Sequence, residues 1–355
     1  MIKKFFAFTL ALLFVLNAAA FDVFADTKKA RKGKRAAAAA SQTNRLVALL
    51  PQSDGVMFLD VQRLLNDALP QILSSNPAKL NEINAQIDQI KDQTGLDVRQ
   101  FEQIAVGVAF KQTAAAKNTF EPVVLARGKY NSDALLTLAK IALKGKYREE
   151  KTGNGKAVYI FAAREILTEN KSKAAGDMPD KFFDFLLRKT PSEIAVTTVD
   201  ANTLAIGTLA RVRETVENKA RVGASLAALL NRKPNSLMSF AANTPTGLKQ
   251  FIDLDEDVLG NSLASIRQIY GAANVADGNI LASVTAKSMN AEQADSLQKN
   301  LSGLQGLLKG ILGGARGEDK KVYARILDNA KITRAGTEVL IDFQVSGADA
   351  ALLIK

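Results

Sequence analysis

From residue 46 onward the sequence contains two similar series of segments, and this approximate repeat limits the folds that the chain can adopt. Four pairs of segments follow one another in the same order in both series. The paired ranges are 46–61 and 225–243, 99–110 and 264–275, 123–143 and 280–301, and 196–208 and 331–343. The shared order favours an internal duplication. Each pair matches at only a handful of positions, so two unrelated α+β stretches remain the alternative.

Within the first series, residues 99–110 have the two-residue period of a strand. Large residues alternate with small ones, namely Ile104, Val106, Val108 and Phe110 with Ala105, Gly107 and Ala109. Successive side chains of a strand point to opposite faces. The pattern therefore predicts one large face and one small face, and the small face suits the close approach of a helix or another backbone.

The helices between the strands have recognisable ends. Apolar residues recur at helical spacing at Leu80, Ile83, Ile87 and Ile90. Gly95 follows them as a stop signal, and Asn131 and Asn290 occupy corresponding N-cap positions in the two series. The sequence therefore predicts an α+β fold of two similar units, 46–222 and 223–355, each with a mixed or antiparallel sheet and helices packed on one face.

Residues 1–25 have the three-part order of a secretory signal peptide. A basic start precedes an apolar stretch from Phe5 to Leu16, and small residues follow. Cleavage is expected after Ala20 or after Ala25, which gives a periplasmic or extracellular protein. The apolar stretch is shorter than the roughly 20 residues that span a bilayer, so no transmembrane span is expected in the mature chain. Retention as an uncleaved N-terminal anchor is the alternative.

Residues 26–45 form a basic, Ala-rich segment, which we expect to be a disordered linker. Six basic residues are clustered near its start, namely Lys28, Lys29, Arg31, Lys32, Lys34 and Arg35. Residues 1–45 carry +7 of the net charge of +11, so the rest of the chain is nearly balanced. That balance argues against specific nucleic-acid recognition by the folded part. Behind an export signal, the segment is expected to make salt-sensitive contacts with anionic envelope components or an acidic protein. A solvated spacer is the alternative.

The amino-acid composition excludes several kinds of catalysis. The chain contains no Cys and no His. Thiol nucleophiles, imidazole bases, Ser-His-Asp catalysis and zinc sites of the ordinary type are therefore excluded. Carboxylates, Lys, Tyr, a Ser/Lys pair or an oxygen-ligated Ca²⁺ or Mg²⁺ site remain.

Three stretches match chemical motifs only in part. Asp253, Asp255 and Asp257 have the alternate spacing of a calcium loop, but its Gly and its final Glu are missing, so an acidic helix start is preferred. The Ser-x-x-Lys at 296–299 is no more than chance predicts. The Gly-rich stretch 301–317 lacks the end of a P-loop. Its apolar stripe, read as the core face of a helix, consists of Leu301, Leu304, Leu308 and Ile311. We expect no catalytic residue, cofactor or metal.

The stretches "LLPQSDGVMFLDV" and "TGLDVRQFEQIAVGV" resemble the units of a loose group of exported bacterial proteins of unknown function. Those units begin with a Leu-Pro-x-x-Asp-x-Val-type strand and continue to a Leu-Asp-x-x-x-Phe/Ile-x-x-Ile/Val step. The resemblance covers 46–210, and it is weak in the second half, where "LLNRKPNSLMSF" lacks the Asp. It implies a non-enzymatic binding or scaffolding role in the cell envelope.

The alternative from another class is a hydrolase that uses carboxylates or a Ser/Lys pair in a cleft between the units. Converging carboxylates in a cleft would favour the hydrolase. An apolar cavity against the small face of Ala105, Gly107 and Ala109 would favour ligand binding.

Overall fold

The structure is a computed structural model that describes residues 45–112, 118–142, 146–169, 191–217, 220–244, 263–313 and 317–354. The strands of these residues are β1 Gly55–Asp60, β2 Phe101–Gln112, β3 Asn118–Gly128, β4 Tyr147–Lys151, β5 Ala157–Phe161, β6 Ile194–Asp200, β7 Thr203–Gly207, β8 Met238–Asn243, β9 Ile266–Ala276, β10 Asn279–Ser288, β11 Lys331–Ala335 and β12 Glu338–Val345. They form one antiparallel sheet in the order β11-β12-β10-β9-β8-β1-β2-β3-β7-β6-β5-β4. The α+β prediction with an antiparallel sheet is confirmed.

The α-helices of the same residues are α1 Val61–Arg63, α2 Leu69–Ile72, α3 Pro77–Thr94, α4 Ser132–Ala142, α5 Ala163–Glu169, α6 Leu209–Val216, α7 Ala224–Leu230, α8 Ala291–Gly313, α9 Glu318–Asn329 and α10 Gly347–Leu353. A π-helical turn, Leu64–Ala68, joins α1 to α2. There the Leu69 amide donates to the Leu64 carbonyl, and Pro70, which has no amide hydrogen, follows directly. A proline at this place accounts for the local π geometry.

The predicted helix ends are confirmed. Gly95 ends α3 in the left-handed region at φ 73°. The Asn131 Oδ1 accepts from the Ala134 amide at 2.9 Å, and the Asn290 Oδ1 accepts from the Gln293 amide at 2.9 Å. The two N-caps therefore begin helices that follow β3 and β10.

Helices cover both faces of the sheet, which corrects the expectation of helices on one face. Ile104 of β2 packs with Leu136 of α4, whereas the next residue, Ala105, packs in a cluster with Val212 of α6 and Leu226 of α7. Because adjacent strand residues face opposite sides, α6 and α7 lie across the small face of the sheet. Both faces of the central strands are apolar, so both have to be shielded from water.

The centre of the sheet is the antiparallel pair of β1 and β8, where Phe58 is opposite Ser239. On each side of this pair lies a hairpin, β2–β3 on one side and β9–β10 on the other. Next come β7 and β12, and then β6 and β11. Strands β5 and β4 extend the first side only. The order of elements outward from the centre is therefore the same on both sides as far as β6 and β11.

Candidate functional site

A cavity of about 290 Å³ lies at the end of β2, on its small face. Three parts of the chain form it: the turn before β1, the end of β2, and helix α6 with the residues that follow. The side chains on which its chemistry depends are Ser53, Asp54, Ala109, Lys111, Arg211 and Glu214. We call this cavity the β2 pocket.

The turn at 51–54 lies directly over Gly107 of β2. A Cβ atom at Gly107 would be 2.6 Å from the Ser53 Oγ, so a glycine is required for this close approach. The Asp54 amide donates to the Val108 carbonyl at 2.8 Å. The small face of β2, which the alternation predicted, thus allows the turn to form one wall of the pocket.

Arg211 on α6 is the buried charge of the pocket and is 2% exposed. Its Nη2 donates to the Ser53 Oγ at 2.7 Å, and its Nη1 forms an ion pair with Glu214. The Ser53 Oγ in turn donates to the Pro51 carbonyl at 2.8 Å. Among the described residues, the buried Arg211 Nε has no hydrogen-bond partner. An unpaired buried donor costs about 1–3 kcal/mol, so this atom stands out in an otherwise satisfied group.

Asp54 is the second distinctive group of the pocket. Its Oδ2 accepts from the Phe110 amide at 2.8 Å. No cationic side chain of the described residues pairs with this carboxylate, whereas Lys111 is paired with Glu121 at 2.6 Å. The described lining of the pocket thus contains two positive and two negative side chains, and Asp54 is the one of the four that has no ion-pair partner among the described residues.

A second polar group lies where β12 begins. The Arg232 guanidinium lies over the Tyr270 ring at 4.9 Å from its centroid, and it donates to the Tyr270 hydroxyl and to the Glu338 Oε1, the latter at 2.8 Å. Burial raises the pKa of the Tyr270 hydroxyl. Every charge of the group has a partner. This group links the end of α7 to β12, and we interpret it as a structural contact.

The other predicted candidates do not join the β2 pocket. Lys28, Lys29, Arg31, Lys32, Lys34 and Arg35, as well as Asp253, Asp255 and Asp257, lie outside the described residues. Ser296 and Lys299 lie on α8, where Lys299 pairs with Asp295 at 2.7 Å. Within the described ranges, no group of carboxylates could hold a metal ion.

The stripe on α8 is a core face only in part. Leu301 packs with the buried Leu297, as predicted, but Ile311 is 60% exposed. The later part of α8 contacts α9 instead of the sheet, and Gln305 donates there to the Leu327 carbonyl at 2.7 Å. Because the end of α8 packs on α9 and not on the sheet, Ile311 remains exposed to solvent.

One side of the pocket contains residues of a recognisable sequence step, and the other side does not. The Leu-Pro-x-x-Asp step runs from Leu50 to Asp54 and is the turn of the pocket. Arg211 was missed. The one signal in the sequence is its position in the first turn of a helix, next to the buried Val212.

Comparison with known proteins adds little to this description. No family model and no curated protein matches the chain. Among solved structures, crystal form III of TP0453 has a TM-score of 0.44 and 12% identity, and it covers 87% of this chain and 96% of that chain. Crystal form IV of TP0453 has a TM-score of 0.43 and 11% identity, covering 89% and 98%. At these values no residue or activity can be transferred. No helix of the described part is long and apolar enough to cross a membrane.

Proposed function

We propose that the chain is an exported, non-enzymatic binding or scaffolding protein of the bacterial cell envelope. One observation supports the non-enzymatic part: three polar residues of the β2 pocket, Ser53, Arg211 and Glu214, already bind one another. Ser53 donates to one partner and accepts from Arg211, and Glu214 is paired with the same Arg211. A nucleophile needs an adjacent base, and the contacts of Ser53 among the described residues are instead the Pro51 carbonyl and the cationic Arg211. Such a pocket is suited to binding.

The alternative is a hydrolase, and one observation favours it. Asp54 and Glu214 both line the β2 pocket. General acid–base catalysis requires one carboxyl group that can take up a proton and one that stays ionised. Because Glu214 is held by a guanidinium, the pair is less suited to that work than to binding.

The segment 26–45 is the second part of the proposal. We propose that, after removal of the signal peptide near Ala20 or Ala25, its cluster of six basic residues between positions 28 and 35 attracts anionic envelope components. The charge distribution supports this role, because most of the excess positive charge lies before the folded part. Each basic residue near an anionic lipid surface contributes about 1 kcal/mol, and salt screens the attraction.

Neutralising the segment tests this role. We expect replacement of the six basic residues between positions 28 and 35 by Gln to lower retention on vesicles of phosphatidylglycerol and phosphatidylcholine by at least about tenfold at low salt, because about 1.4 kcal/mol already gives that factor. Co-sedimentation at low and high ionic strength measures it. The control replaces six exposed basic residues of the folded part, Lys91, Lys129, Lys146, Arg148, Lys299 and Lys321. Equal retention of the arm variant and the parent chain would identify the segment as a spacer.

We also propose that 46–222 and 223–355 derive from one ancestral unit. The first sequence pairing matches β1 with β8, and the other three fall on elements that occupy corresponding places on the two sides of this central pair. The N-caps at Asn131 and Asn290 begin corresponding helices, each after the second strand of the inner hairpin. These correspondences support duplication over chance similarity.

A further inference from the structure

The ends of the two inner hairpins contain matching pairs of apolar residues. Phe110 of β2 is opposite Phe120 of β3, and Val275 of β9 is opposite Ile280 of β10. Each pair lies near the connection between its two strands. Phe120 is 50% exposed, so its ring offers apolar area that a neighbouring segment can bury.

Both pairs lie on the same face of the sheet. A row of directly opposed residues crosses the central strands, and it consists of Val106, Met57, Phe240 and Gly271. Phe110 lies four residues after Val106 on β2, and Val275 lies four residues after Gly271 on β9. Because strand side chains alternate between the two faces, this even step leaves both pairs on one face, at equal distances from the row.

The pair on the β9–β10 hairpin is covered by the segment that follows β1. Val275 and Ile280 pack in one cluster with Ala68 of the π-helical turn and Ile72 of α2. This segment leaves β1 at Asp60, whereas the β9–β10 hairpin adjoins β8. The segment after β1 therefore crosses the central strand pair and covers the hairpin on the far side.

The segment in the corresponding place follows β8 and comprises residues 245–262, which lie outside the described residues. It begins beside the first apolar pair. The Asn243 amide donates to the Asp54 carbonyl at 2.7 Å, and the Asp54 carboxylate accepts from the Phe110 amide at 2.8 Å. Apolar residues recur in it at the three- and four-residue spacing of one helix face, namely Leu248, Phe251, Leu254 and Val258.

We propose that segment 245–262 of the same chain packs on Phe110 and Phe120, in the way that the segment after β1 packs on the other hairpin. We call Phe110 and Phe120 the β2–β3 patch. The segment is a better occupant than a separate protein, because its start is held beside the patch and its effective concentration there is high. The strand order supports this contact, and the proposed envelope role of the basic segment is independent of it. The vesicle experiment and the two experiments below can therefore fail separately.

Disulfide trapping tests the contact directly, because the chain contains no Cys of its own. We expect the double variant Phe120→Cys/Phe251→Cys to form a disulfide under mild oxidation at least about tenfold faster than Leu307→Cys/Phe251→Cys, since docking raises the effective concentration of the first pair. Leu307 on α8 is 62% exposed and is the matched control. The segment can also reach α8, because Leu263, directly after it, packs in the same cluster as Leu301.

The linked residues are identified by peptide mass spectrometry, and non-reducing electrophoresis separates monomers from dimers. Equal rates for the two variants would mean that the segment does not dock, and they would overturn the proposal. A disulfide that joins position 120 of one molecule to position 251 of another would put a second copy on the β2–β3 patch, and this outcome also overturns it.

Trypsin cleavage gives a second measurement and leaves the sequence of the segment unchanged. Lys249 is the single Lys or Arg within 245–262. Phe120→Asp places a charge in the β2–β3 patch, and we expect the cut after Lys249 to become at least about tenfold faster, because cleavage requires release of the segment. Leu307→Asp is the control and should be cut as slowly as the parent chain, with both variants keeping the parent's thermal unfolding midpoint. A parent chain that is cut after Lys249 as fast as Phe120→Asp contradicts the proposal.

Discussion

Replacing Phe161 with Ala is expected to lower the free energy of unfolding by about 3–5 kcal/mol, the usual cost of removing a fully buried aromatic ring. Phe161 at the end of β5 is 0% exposed and packs in the cluster that contains Ile104 and Leu136. Its ring centroid is 5.8 Å from that of Tyr147. The surrounding strands cannot close over the resulting cavity without breaking their ladder. Urea denaturation followed by circular dichroism measures the loss.

Phe120→Ala is the control for this prediction. Phe120 is 50% exposed on β3 and contacts Phe110 edge to face, with centroids 5.1 Å apart. Losing such an aromatic pair costs about 0.5–1.5 kcal/mol. Equal losses for the two variants would mean that the cluster around Phe161 does not hold the first half of the sheet together.

Replacing Arg211 with Met is expected to lower the free energy of unfolding by about 1.5–3 kcal/mol, the range for hydrogen bonds to charged groups. The variant keeps most of the side-chain volume and removes the donors to Ser53 and Glu214. Glu214 can be solvated, because its side chain is 29% exposed, and this keeps the loss below that of a fully buried broken pair. Chemical denaturation measures the change.

Arg213→Met is the control on the same helix. The Arg213 side chain is 39% exposed and pairs with Glu150, whose side chain is 30% exposed. Such exposed pairs contribute about 0–1 kcal/mol. If Arg211→Met is no more destabilising than Arg213→Met, the buried guanidinium does not fix the turn of the pocket.

Local patterns predicted local structure well. The alternation from Ile104 to Phe110 predicted β2, and Gly95 predicted the end of α3, because turn and strand preferences act over a few residues. The face that each helix covers was not predicted. The face that a helix covers depends on which distant segment crosses the sheet. For α7, residues 224–230, the sequence period does not indicate that the helix packs on the small face of β2.

The candidate site was predictable on one side only. Asp54 belongs to a step that can be read in the sequence, whereas Arg211 contributes its guanidinium across 158 residues of chain. A buried arginine on a short amphipathic helix resembles an exposed one until its partner is known. Contacts between residues so far apart are set by the tertiary fold, and no repeating pattern in the sequence indicates them.

The central pair of strands has a consequence for the order of folding. Most pairings join strands close in sequence, but Phe58 pairs with Ser239, and the Asp54 carbonyl accepts from the Asn243 amide at 2.7 Å. Closing a long loop costs entropy, so contacts between distant residues form late. We expect pulse-labelling hydrogen exchange during refolding to protect the β9–β10 hairpin before the β8 amides that face β1. The residues that shape the pocket turn would then reach their final register only when the two halves of the chain join.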